Sequence, residues 1–272
     1  MTSSGKASML DAITPVILTN TEAVNIRRTL SHLNWAKEIV VVDSGSMDET
    51  LDILLANPRV RLLKRPLDSH SRQWRFATQE TGITTPWLLR LDADYQLPQA
   101  FIEELAGLDP NGPECGYRVA FDYAVFARTL IASLYPPKTI LLRSGKFAAH
   151  DDGHNETWTI DGPVGALKAR VIHDDWKPMD RWLISQVSYM KRDLGKHKTR
   201  RSGVSDWLRR HPPLMPVVVF FYCLFGKGLI LNGKAGLLYT LQRVIAESML
   251  SLLMVEKALH PPADEKTKKK VG

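Results

Sequence analysis

Apolar and polar positions along this chain repeat with two different periods, and the two periods alternate. Ile13–Leu18 is a short apolar run containing Val and Ile, the pattern of a buried strand. After Thr19-Asn20-Thr21, apolar residues recur at Ala23, Ile26, Leu30 and Leu33, steps of three and four that share one helical face. Glu38–Val42 is a second β-branched run, ending at Asp43, and Ser44-Gly45-Ser46 turns the chain into another helix. Ser46 and Glu49 have the spacing of a capping box, and Leu51, Leu54 and Leu55 follow on the buried face. A third strand is expected at Val60–Leu63, between Pro58 and Pro66. A fourth is expected at Trp87–Leu91, entered through Thr85-Pro86 and running into Asp92.

Residues 10–95 therefore alternate strand and helix from a first strand to a fourth. This order predicts an α/β fold, Rossmann-like, with a mostly parallel sheet, right-handed crossovers and helices on both faces. Ligands of such sheets bind beyond the carboxyl ends of the strands. Asp43 and Asp92–Asp94 both lie at carboxyl ends and are expected close together along one edge of the sheet.

Composition adds little to the class and something to the boundaries. At 272 residues, 44% hydrophobic and 24% charged, the chain is an ordinary globular protein, which excludes disordered and fibrous classes. Cys115 and Cys223 have no framework or metal-ligand spacing and read as thiols in a reducing compartment. The first fifteen residues lack a basic stretch followed by an apolar one, so no secretory signal is expected.

Charge is more informative. Residues 181–211 hold nine lysines and arginines against Asp193 and Asp206, an excess equal to the +7 of the whole chain. Such a field suits anionic head groups, phosphorylated substrates or nucleic acid. The next segment, Leu214–Phe225, is a run of twelve apolar residues between Pro212-Pro213 and Gly226-Lys227. It falls short of the roughly 20 residues a spanning helix needs, so an interfacial or re-entrant helix beside a basic stretch is expected, with a buried core helix as the alternative. The tail after His260 reads as a disordered, basic end. The division expected is 1–176 for the α/β domain, 177–260 for a basic and amphipathic or hydrophobic helical region, and 261–272 for the tail.

The chemistry sits at the strand ends. Asp92-Ala93-Asp94 puts two carboxylates one residue apart after a buried strand, a costly arrangement without a cation or donors. A hard divalent ion, Mn²⁺ or Mg²⁺, removes that cost, and its remaining positions can take diphosphate oxygens. Gln96 adds a neutral oxygen. Asp43 is either a nucleotide contact or a turn aspartate. Asp48 reads as a first-turn residue interacting with the helix dipole. Arg72 and Arg75 are either solvated or face a diphosphate.

The runs ILTNTEAVNI, EIVVVDSGSMDET and TTPWLLRLDADYQLP resemble the N-terminal half of a family 2 glycosyltransferase, which has the GT-A fold. DADYQLP is similar to the metal loop of the dolichol-phosphate mannosyltransferases. The resemblance implies Asp94 and Gln96 as metal ligands, with Asp92 close by. Asp92 itself is read as a further metal residue that helps to position ribose and metal-bound water. It implies Asp43 against the base or ribose of the donor, with Thr19 and Glu22 lining the nucleotide pocket. Thr21 departs from the family, which usually has Asn before the Glu.

The second half is similar to a bacterial branch that includes lipopolysaccharide-core glucosyltransferases. His150–Glu156 packs three carboxylates and two imidazoles into seven residues, followed by Asp161–Leu167 and then His173. The resemblance implies an inverting transfer from a nucleotide sugar, a UDP-sugar before a GDP-sugar, to a glycolipid or saccharide in cell-envelope synthesis. Such a transfer needs one carboxylate to take the acceptor proton, and Glu156 is the first choice, then Asp152, then Asp151. His150 and His154 are acceptor contacts or loop residues. His173 is an additional metal or phosphate contact, or a structural group. The expected location is the inner face of the cytoplasmic membrane, with a membrane-associating C-terminal segment and no nucleic acid partner. The competing reading is a non-catalytic peripheral membrane or nucleic-acid-binding protein using residues 181–211. A sugar nucleotidyltransferase would need a Gly-rich basic loop after the first strand, where this chain has TNTEAV.

Overall fold

A computed structural model describes residues 8–151, 156–196 and 214–259. The chain divides into two compact units, 1–178 and 179–272.

In the first unit the expected alternation is present: β1 Ile13–Thr19, α1 Ala23–Ser31, β2 Ile39–Asp43, α2 Thr50–Leu55, β3 Val60–Lys64, α3 His70–Arg75 and β4 Trp87–Asp92. There follow β5 Tyr95–Gln96, α4 Gln99–Ala106, β6 Gly116–Val119, β7 Phe121–Val125, β8 Arg128–Thr129 and β9 Lys138–Arg143. The unit ends with β10 Phe147–Asp151, β11 Glu156–Ile160, β12 Val164–Ala166 and β13 Val171–His173. Seven strands form one sheet in the order β12-β6-β9-β4-β1-β2-β3. β1 runs parallel to both β2 and β4, β2 to β3, and β12 to β6, whereas β9 is antiparallel to its neighbours β4 and β6. The fold is thus α/β with a mostly parallel sheet.

Alternation along the strands explains the helices on both faces. Ile39 and Val41 of β2 point to one side and pack with Ile26 and Leu30 of α1 and Phe101 and Leu105 of α4. Val40 and Val42 point to the other, with Trp74 of α3, Leu142 of β9 and Phe147 of β10. Buried on both faces, β2 carries no polar residue before Asp43, as expected of a central parallel strand. A second sheet, in the order β5-β13-β7-β8, places β13 antiparallel to β5 and parallel to β7. β10 and β11 form a separate antiparallel pair.

One local expectation is corrected. Ser46 and Glu49 do not form a capping box: the helix begins at Thr50, and Glu49 makes no side-chain cap bond. Ser46 instead donates its hydroxyl to Asp43 and accepts from the Thr21 amide, while Asp48 receives the Thr50 amide at 3.1 Å. The buried Asp43 carboxylate is the stronger acceptor and takes the serine.

The second unit holds α5 Met179–Lys196, α6 Leu214–Phe221 and α7 Gly233–Leu259, the last two joined by tight helical turns. Leu229–Leu259 is long and apolar enough to cross a membrane by length and composition, and 28% of its apolar window is buried. An apolar cavity of about 640 Å³ is lined by Val187, Met249, Leu252, Leu253, Val255, Glu256 and Leu259.

Candidate active site

The carboxyl ends of β1, β2 and β4 bring the predicted residues of the first half to one edge. Thr19 pairs with Asp43, and Leu18 with Asp92. Asp43 is fully buried and its oxygens are occupied. The Thr19 hydroxyl donates at 2.8 Å, and the Gly45 and Ser46 amides at 2.9 and 2.8 Å. The carboxylate therefore shapes the 44–46 turn. Thr21 follows at φ +57°, a region that a β-branched residue enters only under strain.

Asp94 lies just beyond β4 and meets His173 at the end of β13, Oδ2 to Nε2 at 3.2 Å. The register that pairs β5 with β13 makes the meeting possible, since His173 lies opposite Tyr95. Both side chains are largely covered, at 12% and 13% exposed. Asp94 Oδ1 and His173 Nδ1 are buried and lack hydrogen-bond partners. Burial pushes the Asp94 carboxyl up, but His173 beside it outweighs that and holds it below the usual range.

Asp92 is more open, its side chain 41% exposed, and ends a chain of polar contacts. Lys138 of β9 lies 3.4 Å from Asp92 Oδ2 and 3.0 Å from the Tyr95 hydroxyl, which meets that of Tyr135 at 2.6 Å. Burial opposes the charge on Asp92, yet Lys138 and Arg90 hold its carboxyl well below the usual range. Arg90 is itself buried between Trp74 and Trp158, 5.1 and 4.7 Å from their rings. Burial and Asp92 raise the Tyr95 phenol, so it stays protonated as a donor.

Glu22 receives Lys177 at 2.8 Å and Asn25 at 3.0 Å. Burial pushes its carboxyl up to about 7, with Lys177 pulling it down and Asp94 pushing it further up. Gln96 reaches Asp174 at 3.5 Å. Asp174, 1% exposed, also receives Arg28 at 2.7 Å and the Trp176 indole at 2.7 Å, and its own amide donates to the Asp94 carbonyl at 3.1 Å. Asp174, Lys177, Lys138 and Tyr135 were not among the residues singled out from the sequence. Asp174 and Lys177 follow a three-residue strand with no periodicity of its own, and Lys138 and Tyr135 sit in a stretch without a motif.

The remaining predicted residues are placed differently. Arg72 is an exposed residue of α3 whose ion pair is with Asp68 at 3.8 Å, and among the described contacts none ties it to the Asp92–Asp94 cluster. Asp151 and Glu156 are the last pair of the β10–β11 ladder. Asp152 and His154 lie outside the described residues. His150 bonds Thr159 across the ladder at 2.7 Å.

Asp94 offers a hard oxygen short of a partner, with Asp92 and Gln96 close in sequence, while His173 turns Nε2 to Asp94 and its unpartnered Nδ1 away from it. Among the described residues no group of three or more His, Cys, Asp or Glu forms a ready metal cage. The arrangement fits Mg²⁺ or Mn²⁺ of the kind bound through one or two side chains, with the other positions left to substrate phosphates.

The profile of glycosyl transferase family 2 matches residues 15–157. A lipopolysaccharide core biosynthesis glycosyltransferase of Rhizobium meliloti (strain 1021), LpsC, is 33% identical over 238 residues, covering 81% of this chain and 83% of that protein. An uncharacterized glycosyltransferase of Rickettsia bellii (strain RML369-C) is 33% identical over 94 residues, 34% of this chain and 31% of that protein. The chain thus matches about a third of the length of the Rickettsia protein. Among solved structures, S. aureus TarS 1–349 aligns at 12% identity with a TM-score of 0.43, covering 93% of both chains. The same protein in complex with UDP-GlcNAc aligns at 14% identity and 0.43, covering 86% of this chain and 79% of that one.

Proposed function

Because this chain belongs to glycosyl transferase family 2, we propose that it moves a sugar, with inversion, from a UDP-sugar to a glycolipid or saccharide acceptor of lipopolysaccharide synthesis. The observation that carries this reading is the edge where Asp94 meets His173, with Asp92, Thr19 and Asp43 at the neighbouring strand ends. The relationship to LpsC supports the place in core synthesis.

Asp94 with His173 or Gln96 would hold a divalent cation, and Asp92 would orient the donor ribose. The cation would offset the charge that develops on the departing nucleoside diphosphate. Lys138 keeps Asp92 ionised and in place. A carboxylate of 151–156, Glu156 first, takes the proton from the acceptor hydroxyl as its oxygen attacks the anomeric carbon. The bond from that carbon to the diphosphate oxygen breaks on the opposite side.

We place the second unit on the inner face of the cytoplasmic membrane. Phe221, Phe225, Ile230 and Leu231 are 56%, 59%, 52% and 81% exposed, more apolar surface than a chain surrounded by water gains from. The apolar cavity beside Leu252 suits an acyl chain.

The deciding experiment is a donor panel: UDP-, GDP- and other nucleotide sugars assayed for hydrolysis with Mn²⁺ and with Mg²⁺. Turnover of a UDP-sugar that disappears with EDTA supports the reading. No turnover of any donor under either ion removes it.

A further inference from the structure

Next to this edge the chain makes a turn that its residues resist. Phe126 and Ala127 join β7 to β8, and both lie at positive φ, +48° and +64°. Two-residue hairpin turns of this form favour Asn-Gly, because side chains with a Cβ enter this region at a cost. The turn is held from beneath. The Ala127 amide donates to both oxygens of Asp174, at 3.3 and 3.1 Å, and that carboxylate is 1% exposed.

The strained turn presents an aromatic ring to solvent. Phe126 is 52% exposed, and its ring stands edge-on to Trp176 at 6.2 Å and 63°. The indole is positioned twice over. Its N–H donates to Asp174 at 2.7 Å, and the Arg28 guanidinium covers one face at 4.1 Å. Trp176 is nevertheless 38% exposed. Backbone strain and an uncovered aromatic pair are two separate costs at one point, the combination expected where a ligand is received.

Position selects the ligand. Asp174, which holds the turn and the indole, also receives Gln96 at 3.5 Å and donates its amide to the Asp94 carbonyl. Through Asp174 the pair is therefore continuous with Gln96 and Asp94 of the proposed donor site. A pyranose offers C–H groups on its faces and hydroxyls around its rim. The first pack on aromatic rings, and the second suit the charged Arg28, Lys177 and Asp175 nearby.

We propose that Phe126 and Trp176 form a platform for the sugar ring of the acceptor. Its role as acceptor site rests on the glycosyltransferase reading above, whereas the binding of a saccharide there can be measured alone.

The test is saturation-transfer NMR on the full chain with millimolar methyl α-D-glucopyranoside, mannopyranoside and galactopyranoside, in the presence of UDP and Mn²⁺. Wild type should saturate the C–H protons of at least one glycoside. Phe126→Ala and Trp176→Phe should lower that saturation about fivefold, and Phe126→Trp should retain it. The UDP affinity of Phe126→Ala, read by calorimetry, should equal that of wild type. Equal saturation in wild type and Phe126→Ala, or none in wild type that binds UDP, overturns the platform. Failure of wild type to bind UDP counts against the donor site, while the glycoside signals still decide the platform.

Discussion

Asp94 and His173 come within 3.2 Å although 79 residues separate them, and on each the other polar atom is buried without a partner. A buried carboxylate oxygen left unsatisfied is expensive unless a ligand completes it, and His173 orients the carboxylate through its other oxygen. Asp94→Ala should weaken UDP binding in Mn²⁺ about 100-fold, and His173→Ala about 10- to 100-fold, with little change in EDTA. Calorimetric titration decides it, and equal affinities in wild type and Asp94→Ala would remove the metal assignment.

Glu22 sets a pH dependence. Its folded carboxyl, raised by burial to about 7 from an ordinary 4.5, binds a proton more tightly than the unfolded chain does. That contribution to stability is full below pH 4.5 and is lost as pH rises to 7, on the order of 3 kcal/mol. Asp92 and Asp94, held low in the fold, act in the opposite sense and lose their contribution only in stronger acid. Urea denaturation of the metal-free protein at pH 8 and at pH 5 should therefore show greater stability at pH 5. Glu22→Gln should flatten that difference, and an unchanged difference would refute the assignment to Glu22.

Thr21 should be replaceable with gain. At φ +57° the β-branched side chain is strained, whereas Asn tolerates the same backbone. Thr21→Asn is expected to stabilise by about 1 kcal/mol, read as a higher urea midpoint at unchanged slope.

The identity of the base can be separated from binding. Glu156→Gln, Asp152→Asn and Asp151→Asn should leave UDP affinity within about twofold, while one of them lowers transfer about 10²- to 10⁴-fold. Steady-state rates with a saccharide acceptor give the answer, and comparable losses in all three would mean that none acts alone.

Asp174→Ala should destabilise by about 3–5 kcal/mol, because Arg28 then keeps its charge in a partly buried setting without the carboxylate. Chemical denaturation measures it, and a loss below about 1 kcal/mol would show that Arg28 finds another partner.

The strand–helix series was legible because β-branched runs such as Glu38–Val42 end at turns marked by Gly and Pro, and each run is local. The placement of the acids along one sheet edge was legible for the same reason, since Asp43 and Asp92 are the residues on which buried strands end. The pairing of Asp94 with His173 was not, because it depends on the register of two very short strands, β5 and β13. Ser46 was misread because a capping box depends on local spacing, while the acceptor that took its hydroxyl was set by the β1–β2 edge. Lys138, Lys177 and Asp174 acquire meaning only from partners that folding brings to them from other segments.

Asp174 accepts from four donors on four separate segments: Arg28 of α1, Gln96 of β5, Ala127 of the turn, and Trp176. No single second substitution could satisfy all four once the carboxylate is gone. The position is therefore an epistatic lock. Lineages of this protein should leave aspartate at 174 only by changing several sites together.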